Sequence, residues 1–327
     1  MARPVVLLTR ASFYRPGWIE DHWPRINAAA ELVLCPHETG PRLIADAARS
    51  DVIYARGFPV SREMMEAAPG LRGVVASGVG VDKIDVAAAS ELGIVVANSP
   101  GNTVTMAEST MLLIAAFAKN LFFWVDLARK NTLPNSATQG REMAGQTIGI
   151  IGLGRIGSMV AKLARAYGMV PIAYDPYVEP TASAEMVPLD ELLERSDFVS
   201  LHPLLTEETR HMIDAAALAR MKPGAILINT SRGEVVDEAA LIAALDEGRI
   251  AGAGLDVFET EPPRPDNRLL RMANVIATPH GLGQVAEARR RCAVMSEDNM
   301  LAMLAGEMPE FTVNRDVEWR FAGVAMA

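Results

Sequence analysis

Short apolar runs without polar alternation recur along the chain, at Val5–Leu8, Leu32–Leu34, Val52–Tyr54 and Gly73–Ala76, with Ala-, Leu- and Met-rich segments between them. A strand with one wet face alternates apolar and polar residues, whereas a strand covered by helices on both faces does not. The pattern predicts α/β structure built on parallel sheets. Its presence in both halves of 327 residues predicts two doubly wound domains. Turn formers at Asn98-Ser-Pro-Gly-Asn102, directly after the strand-like Ile94–Ala97, mark the boundary. One long helix is predicted over Met106–Arg129. Its Phe122-Phe123-Trp124 cluster is large for a solvated face and reads either as internal packing or as contact with a second copy. Leu133–Glu142 is polar and reads as a loop.

Composition narrows the partners. Half the residues are hydrophobic and 22% are charged, which excludes a disordered or collagen-like chain. No run approaches the roughly 18 apolar residues of a membrane-spanning helix; Met111–Ala118 stops at Lys119. The N-terminal apolar run is too short for a secretory signal. Cys35 and Cys292 cannot build a disulfide framework, and neither has a Cys or His at zinc-ligand spacing. A cytoplasmic protein without a metal is expected. Lys plus Arg number 31 against 40 Asp plus Glu, a net charge of −9, and the signs are interspersed. Neither nucleic acid nor an acidic membrane is an expected partner; a small molecule is.

The strand pattern Gln146–Ile151 runs into Gly152-Leu-Gly154-Arg-Ile-Gly157 and then a helix pattern, Ser158–Tyr167. The glycines serve a tight turn, close approach of backbone to a pyrophosphate, and close helix–strand packing, with the anion at the helix N-terminus. A second strand, Val170–Tyr174, ends in Asp175, eighteen residues beyond Gly157. A carboxylate there accepts hydrogen bonds from both adenosine-ribose hydroxyls and repels a 2′-phosphate. NAD is therefore the expected cofactor, in preference to NADP. Gly78-Val79-Gly80 also follows a strand but lacks the third glycine, and reads as an anion-facing turn.

Ligands of doubly wound sheets bind at the carboxyl ends of the strands. Three strand patterns in the second half end in polar residues: Ala225–Asn229 leads to Arg232, Ala253–Phe258 to Glu261, and Asn274–Thr278 to His280. Together beside a nicotinamide they suit the interconversion of a 2-hydroxy acid and a 2-keto acid. Arg232 binds the substrate carboxylate and polarises the carbonyl. His280 exchanges the proton with the carbonyl oxygen. Glu261 orients the imidazole and favours its protonated form. Asp256, inside an apolar strand pattern, needs donors to offset burial, from a nicotinamide carboxamide or a backbone amide.

Five segments, Gly78-Val-Gly-Val-Asp-Lys-Ile-Asp85, Gly149-Ile-Ile-Gly-Leu-Gly-Arg-Ile-Gly157, Asn229-Thr-Ser-Arg-Gly233, Leu255-Asp-Val-Phe-Glu-Thr-Glu-Pro262 and Thr278-Pro-His280, make the chain resemble the D-isomer-specific 2-hydroxyacid dehydrogenases, including glyoxylate/hydroxypyruvate reductases and phosphoglycerate dehydrogenases. The resemblance implies a flavodoxin-like substrate domain, 1–99 and 286–327, into which a Rossmann NAD-binding domain, 100–285, is inserted. It also implies a cleft that closes over the cofactor, and a homodimer through the nucleotide domain. It makes Arg232, Glu261 and His280 catalytic. It assigns NAD contacts to Gly152, Gly154, Arg155, Ile156, Gly157, Asp175, His202, Thr206, Thr230, Ser231, Asp256, Gly281 and Gly283. Arg56, Val79 and Gly80 join Arg232 and His280 in binding substrate.

There are departures from the family pattern. Leu282 places a larger side chain after the acid–base histidine. In His202-Pro203-Leu204 the proline stands one place early, which moves a carbonyl expected near the nicotinamide. Phe58 stands where phosphoglycerate dehydrogenases carry a second arginine, and the chain ends at Ala327 with no room for an appended sensing domain. These features favour glyoxylate, hydroxypyruvate or a related small acid, and Phe58 with Leu282 also suits a more apolar keto acid. The competing expectations are a phosphoglycerate dehydrogenase and a non-enzymatic, corepressor-like NAD sensor. Formate or phosphite oxidation would need a different pocket.

Overall fold

The computed structural model describes residues 3–132, 140–179 and 182–326. The chain divides into two compact units, Met1–Asn102 with Val285–Ala327, and Thr103–Gln284.

The first unit holds β1 (Val5–Leu8), β2 (Glu31–Leu34), β3 (Val52–Ala55), β4 (Gly73–Ala76) and β5 (Val95–Ala97), all parallel, in the order β2-β1-β3-β4-β5. Successive side chains of a strand point to opposite faces. Leu7, Ile53, Val74 and Val96 accordingly enter one core, while Val6, Val52, Val75 and Val95 enter the other with Trp23, Met300 and Met303. β1, β3, β4 and β5 are covered on both faces, so polar alternation has no place in them, whereas the edge strand β2 is half-exposed.

The second unit holds β6 (Thr147–Ile151), β7 (Val170–Tyr174), β8 (Glu185–Met186), β9 (Phe198–Leu201), β10 (Ile226–Asn229), β11 (Gly252–Leu255) and β12 (Val275–Ala277). The parallel sheet runs β12-β11-β10-β9-β6-β7-β8. From β6 the chain winds first toward β8 and then, from β9, the opposite way to β12. The sheet therefore has a topological switch point between β6 and β9, where doubly wound sheets bind ligands. Ile148 and Ile150 face a core shared with Val160, Ala161 and Ala164 of the helix Arg155–Ala166, while Ile151 faces the opposite core with Leu192 and Leu201.

Three expectations are corrected here. The single helix over Met106–Arg129 is two helices, Thr103–Ala118 and Leu121–Arg129, bent by 61°. The break falls at Asn120, whose left-handed backbone (φ 50°) ends one helix and starts the next; asparagine tolerates that conformation better than most residues. Internal packing of Phe122-Phe123-Trp124 is overturned, because no residue of Leu121–Arg129 is buried and Phe122 is 57% exposed. Asp256 lies one residue beyond β11, not inside a strand. Of the loop expected at 133–142, residues 133–139 lie outside the described residues, and 140–142 form neither helix nor strand. Among the described residues no single helix is long and apolar enough to cross a membrane.

Candidate active site

β6 ends at Ile151, and Gly152 turns the chain with φ 89°, a left-handed conformation that favours glycine. A Cβ on Gly152 would stand 2.7 Å from the His202 carbonyl carbon, and one on Gly157 would stand 2.0 Å from the Gly152 oxygen. The turn thus presses against the loop after β9 and against the first turn of the helix it opens. Gly154, the helix N-cap, is different: a Cβ there would meet nothing within 4 Å. Its missing side chain leaves the amide end of the helix approachable, as a pyrophosphate requires. Arg155 is exposed at the first helical position, and Ile156 packs on the core beneath.

Asp175, just past β7, faces this turn. Its Oδ2 accepts a hydrogen bond from the Leu153 amide at 2.8 Å and its Oδ1 one from the Tyr177 amide at 2.9 Å. Each oxygen keeps a second lone pair, so the oriented carboxylate can still accept two ribose hydroxyls.

The early proline leaves His202 anchored: its amide donates to the Ile151 carbonyl at 2.7 Å, Nε2 lies 2.9 Å from Ser200 Oγ, and the carbonyl rests against Gly152. Burial pushes the imidazole down to about 4, so the ring is neutral at pH 7. Thr206 is exposed in the following turn, its amide donating to Thr209 Oγ1 at 2.8 Å.

The loop after β10 is shaped by Asn229. Its buried Oδ1 accepts from the Ser231 amide at 3.0 Å and from Ser231 Oγ at 2.9 Å, while its Nδ2 donates to the Arg232 carbonyl at 2.8 Å. Thr230 Oγ1 lies 3.1 Å from Thr110 Oγ1. A Cβ on Gly233 would fall 1.9 Å from the Phe258 carbonyl carbon, so the loops after β10 and β11 touch backbone to backbone. This brings Arg232 close enough for its charge to act on both Glu261 and His280.

Asp256 is fully buried. Its carbonyl accepts the His280 amide at 2.8 Å, and its Oδ1 gathers Thr278 Oγ1 at 2.7 Å and the amides of Gly281 at 2.9 Å and Leu282 at 3.3 Å. One carboxylate oxygen therefore ties down the whole Thr278–Leu282 turn, in which His280 adopts a left-handed backbone, φ 52°. Backbone amides are thus one answer to the buried charge. Among the described residues the other oxygen, Oδ2, is buried without a hydrogen-bond partner, and a carboxamide N–H fits it.

His280 Nδ1 lies 2.8 Å from Glu261 Oε2, and the Phe258 amide donates to Glu261 Oε1 at 3.4 Å. The hydrogen bond to Glu261 raises the imidazole above its ordinary range, against burial and the Arg232 charge. Burial by itself would raise Glu261, but the His280 hydrogen bond and charge, the Phe258 amide and Arg232 outweigh it and hold the carboxyl below its usual value. With Glu261 ionised, Nδ1 carries the proton shared with it, and Nε2 is the nitrogen left for exchange. The imidazole is 47% exposed, so a ligand can reach it.

The first unit contributes its own strand ends. After β4, Asn98 Nδ2 donates to the Val79 carbonyl at 2.9 Å and the Ser99 amide to the Gly78 carbonyl at 2.9 Å, which fixes the turn that carries Val79 and Gly80. After β3, the Arg56 amide donates to Thr9 Oγ1 at 3.1 Å. Phe58 is corrected as a pocket wall: it is 3% exposed and belongs to the core of its unit. Leu282 likewise packs against the core beneath β6, and Gly283 stands beside Met106, where a Cβ would lie 3.2 Å from the sulfur.

Arg232, Asp256, Glu261, His280 and Gly281 thus converge at the ends of β10, β11 and β12, while the glycine turn and Asp175 converge after β6 and β7. Sequence reasoning missed Asn229, Thr278 and Thr110. The first two carried a signal, a polar side chain closing an apolar run; Thr110 sits in mid-helix and carried none.

The family described as "D-isomer specific 2-hydroxyacid dehydrogenase, NAD binding domain" matches residues 111–281. A glyoxylate reductase of Korarchaeum cryptofilum is 46% identical over 79% of this chain and 81% of its own length. A D-3-phosphoglycerate dehydrogenase of Methanocaldococcus jannaschii is 40% identical over 90% of this chain, which spans only 57% of that protein. Among solved structures, the D-lactate dehydrogenase of Aquifex aeolicus complexed with NAD and lactic acid is similar with a TM-score of 0.83 and 31% identity, covering 92% of this chain and 96% of that one.

Proposed function

Because the chain belongs to the D-isomer-specific 2-hydroxyacid dehydrogenase family, we propose that it interconverts a 2-keto acid and its D-2-hydroxy acid, with glyoxylate, hydroxypyruvate or a related small acid as substrate. The observation that carries this reading is the 2.8 Å contact of His280 with Glu261, within reach of the Arg232 charge. When bound, NADH supplies the hydride. His280 Nε2 gives its proton to the carbonyl oxygen during reduction and recovers it during oxidation. Glu261 keeps the imidazolium populated and its ring in orientation. Arg232 binds the substrate carboxylate and draws electron density from the carbonyl with a fork that never deprotonates.

On the cofactor side, Gly152, Gly154 and Gly157 with the amides opening at Arg155 and Ile156 hold the pyrophosphate. Asp175 holds the ribose, which favours NAD over NADP. Asp256 Oδ2 would take the carboxamide, and His202, Thr206, Thr230, Ser231, Gly281 and Gly283 are the remaining NAD contacts. Arg56 and the amides of Val79 and Gly80 serve the substrate; that assignment is supported by the family resemblance alone. A homodimer is supported by the exposed Leu121, Phe122 and Phe123.

The test is a panel of 2-keto acids followed spectroscopically with NADH and NADPH in parallel. Consumption of NADH with glyoxylate or hydroxypyruvate is expected, with turnover lost in His280→Ala while NAD still binds. Normal NAD binding without turnover of any acid on the panel overturns the reading.

A further inference from the structure

The segment that follows β1 carries polar groups that the proposed reaction leaves unused. Arg10 sits just beyond the strand in a left-handed backbone conformation, φ 54° and ψ 62°, that non-glycine residues rarely adopt. Such conformations persist where the surrounding structure holds them, and they concentrate at ligand sites. The guanidinium it presents stands 5.9 Å from the centroid of the Phe13 ring, and the Arg56 guanidinium stands 4.9 Å from the same ring. Phe13 therefore gathers two cations that repel one another. Among the described residues neither has a carboxylate partner, and Arg10 Nε is buried without a hydrogen bond.

The next residue, Tyr14, repeats the pattern. Among the described residues its hydroxyl is buried without a hydrogen-bond partner, and its ring packs on Trp18 and Trp23. Burial first, then the Tyr54 phenol, pushes its ionisation up against the pull of Arg56, so it stays a neutral O–H donor beside that guanidinium. Donors that are buried and unmatched on this scale are uncommon in folded proteins. Two cations and a hydroxyl on one ring and its neighbour share one natural complement, an oxyanion.

Their position fits a substrate. β1 lies beside β3, and β3 beside β4, all parallel, so Arg10, Arg56 and the Val79–Gly80 turn follow neighbouring carboxyl ends. Two strand spacings span about 10 Å, the reach of a short-chain diacid. Resting on the proposed function, which gives Val79 and Gly80 the carboxylate next to the keto group, we propose that Arg10, Tyr14 and Arg56 form a subsite for a second oxyanion, a carboxylate or phosphate at the far end of the substrate. Arg10 thus sets a second guanidinium beside that of Arg56 from the end of the neighbouring strand.

The experiment compares kcat/KM for 2-oxoglutarate and 3-phosphohydroxypyruvate with that for hydroxypyruvate, in the parent chain and in Arg10→Gln and Tyr14→Phe, with thermal melting to verify folding. The proposal expects at least one doubly anionic acid to be preferred, and Arg10→Gln to cut that preference by about tenfold or more, mainly through KM. Which acid is preferred distinguishes carboxylate from phosphate. Equal use of all three acids by the parent, or a preference unchanged in both variants, overturns it. Calorimetry with inorganic phosphate and with succinate, without cofactor, separates the two readings. If no keto acid is turned over, the oxidoreductase reading fails, whereas saturable anion binding lost in Arg10→Gln upholds the subsite and absence of binding overturns it.

Discussion

Glu261 and His280 are joined by a 2.8 Å hydrogen bond between Oε2 and Nδ1, and the pair shifts each partner toward its charged form. The imidazole is raised, so its contribution to stability is complete below the ordinary histidine value of 6.5 and is lost as pH climbs through the raised one. The carboxyl is lowered, so its contribution is complete above the ordinary value of 4.5 and is lost as pH falls through the lowered one. Both hold together between those ordinary values. Keto-acid reduction needs the imidazolium, and its pH profile is expected to fall above pH 6.5. Glu261→Gln moves that inflection toward lower pH and reduces kcat by about a hundredfold; an inflection that stays in place in the variant contradicts the assignment.

Asp256 anchors the turn that presents His280. Asp256→Ala leaves the Gly281 and Leu282 amides without an acceptor and Thr278 Oγ1 with only its 3.4 Å bond to the Leu255 carbonyl, and is expected to lower unfolding stability by about 2–5 kcal/mol and to weaken NAD binding. Denaturant titration and fluorescence titration with NADH read the two effects separately.

Gly154 and Gly157 differ in what a methyl group meets. Gly154→Ala places it in open space, so melting temperature should hold while NAD affinity drops. In Gly157→Ala the Cβ falls 2.0 Å from a backbone oxygen, so stability and affinity should drop together. Equal melting losses in the two variants would contradict this account.

Asp175 should govern cofactor choice. Asp175→Ala removes the carboxylate that repels a 2′-phosphate, and the ratio of kcat/KM with NADH to that with NADPH is expected to fall by about tenfold or more.

Phe122, at 57% exposure, is the most exposed aromatic of its helix. Phe122→Glu should shift sedimentation toward monomer without changing the secondary structure; a monomeric parent chain would remove the proposed dimer.

Much of this was legible residue by residue. Val5–Leu8 and Gly73–Ala76 are strands with the bounds their apolar runs suggest, because a strand covered on both faces has no polar position to disguise it. The Gly152–Gly157 turn was legible because each glycine answers to a local steric demand. The helix break at Asn120 was not, since an asparagine inside an apolar helical pattern carries only a weak breaking signal. Nor was the burial of Phe58, which joins a core assembled from several strands and helices of its unit.

By itself the sequence determined the parallel α/β architecture, the nucleotide turn and the residue types available for chemistry, all of which rest on local periodicity and backbone sterics. Tertiary structure alone decided that Asp256 holds the His280 turn, that Gly233 presses the Arg232 loop against the Glu261 loop, and that Arg10 shares a ring with Arg56. Those pairings depend on which strands lie side by side, an order set by packing whole helices onto both faces of each sheet, which no short stretch of residues encodes.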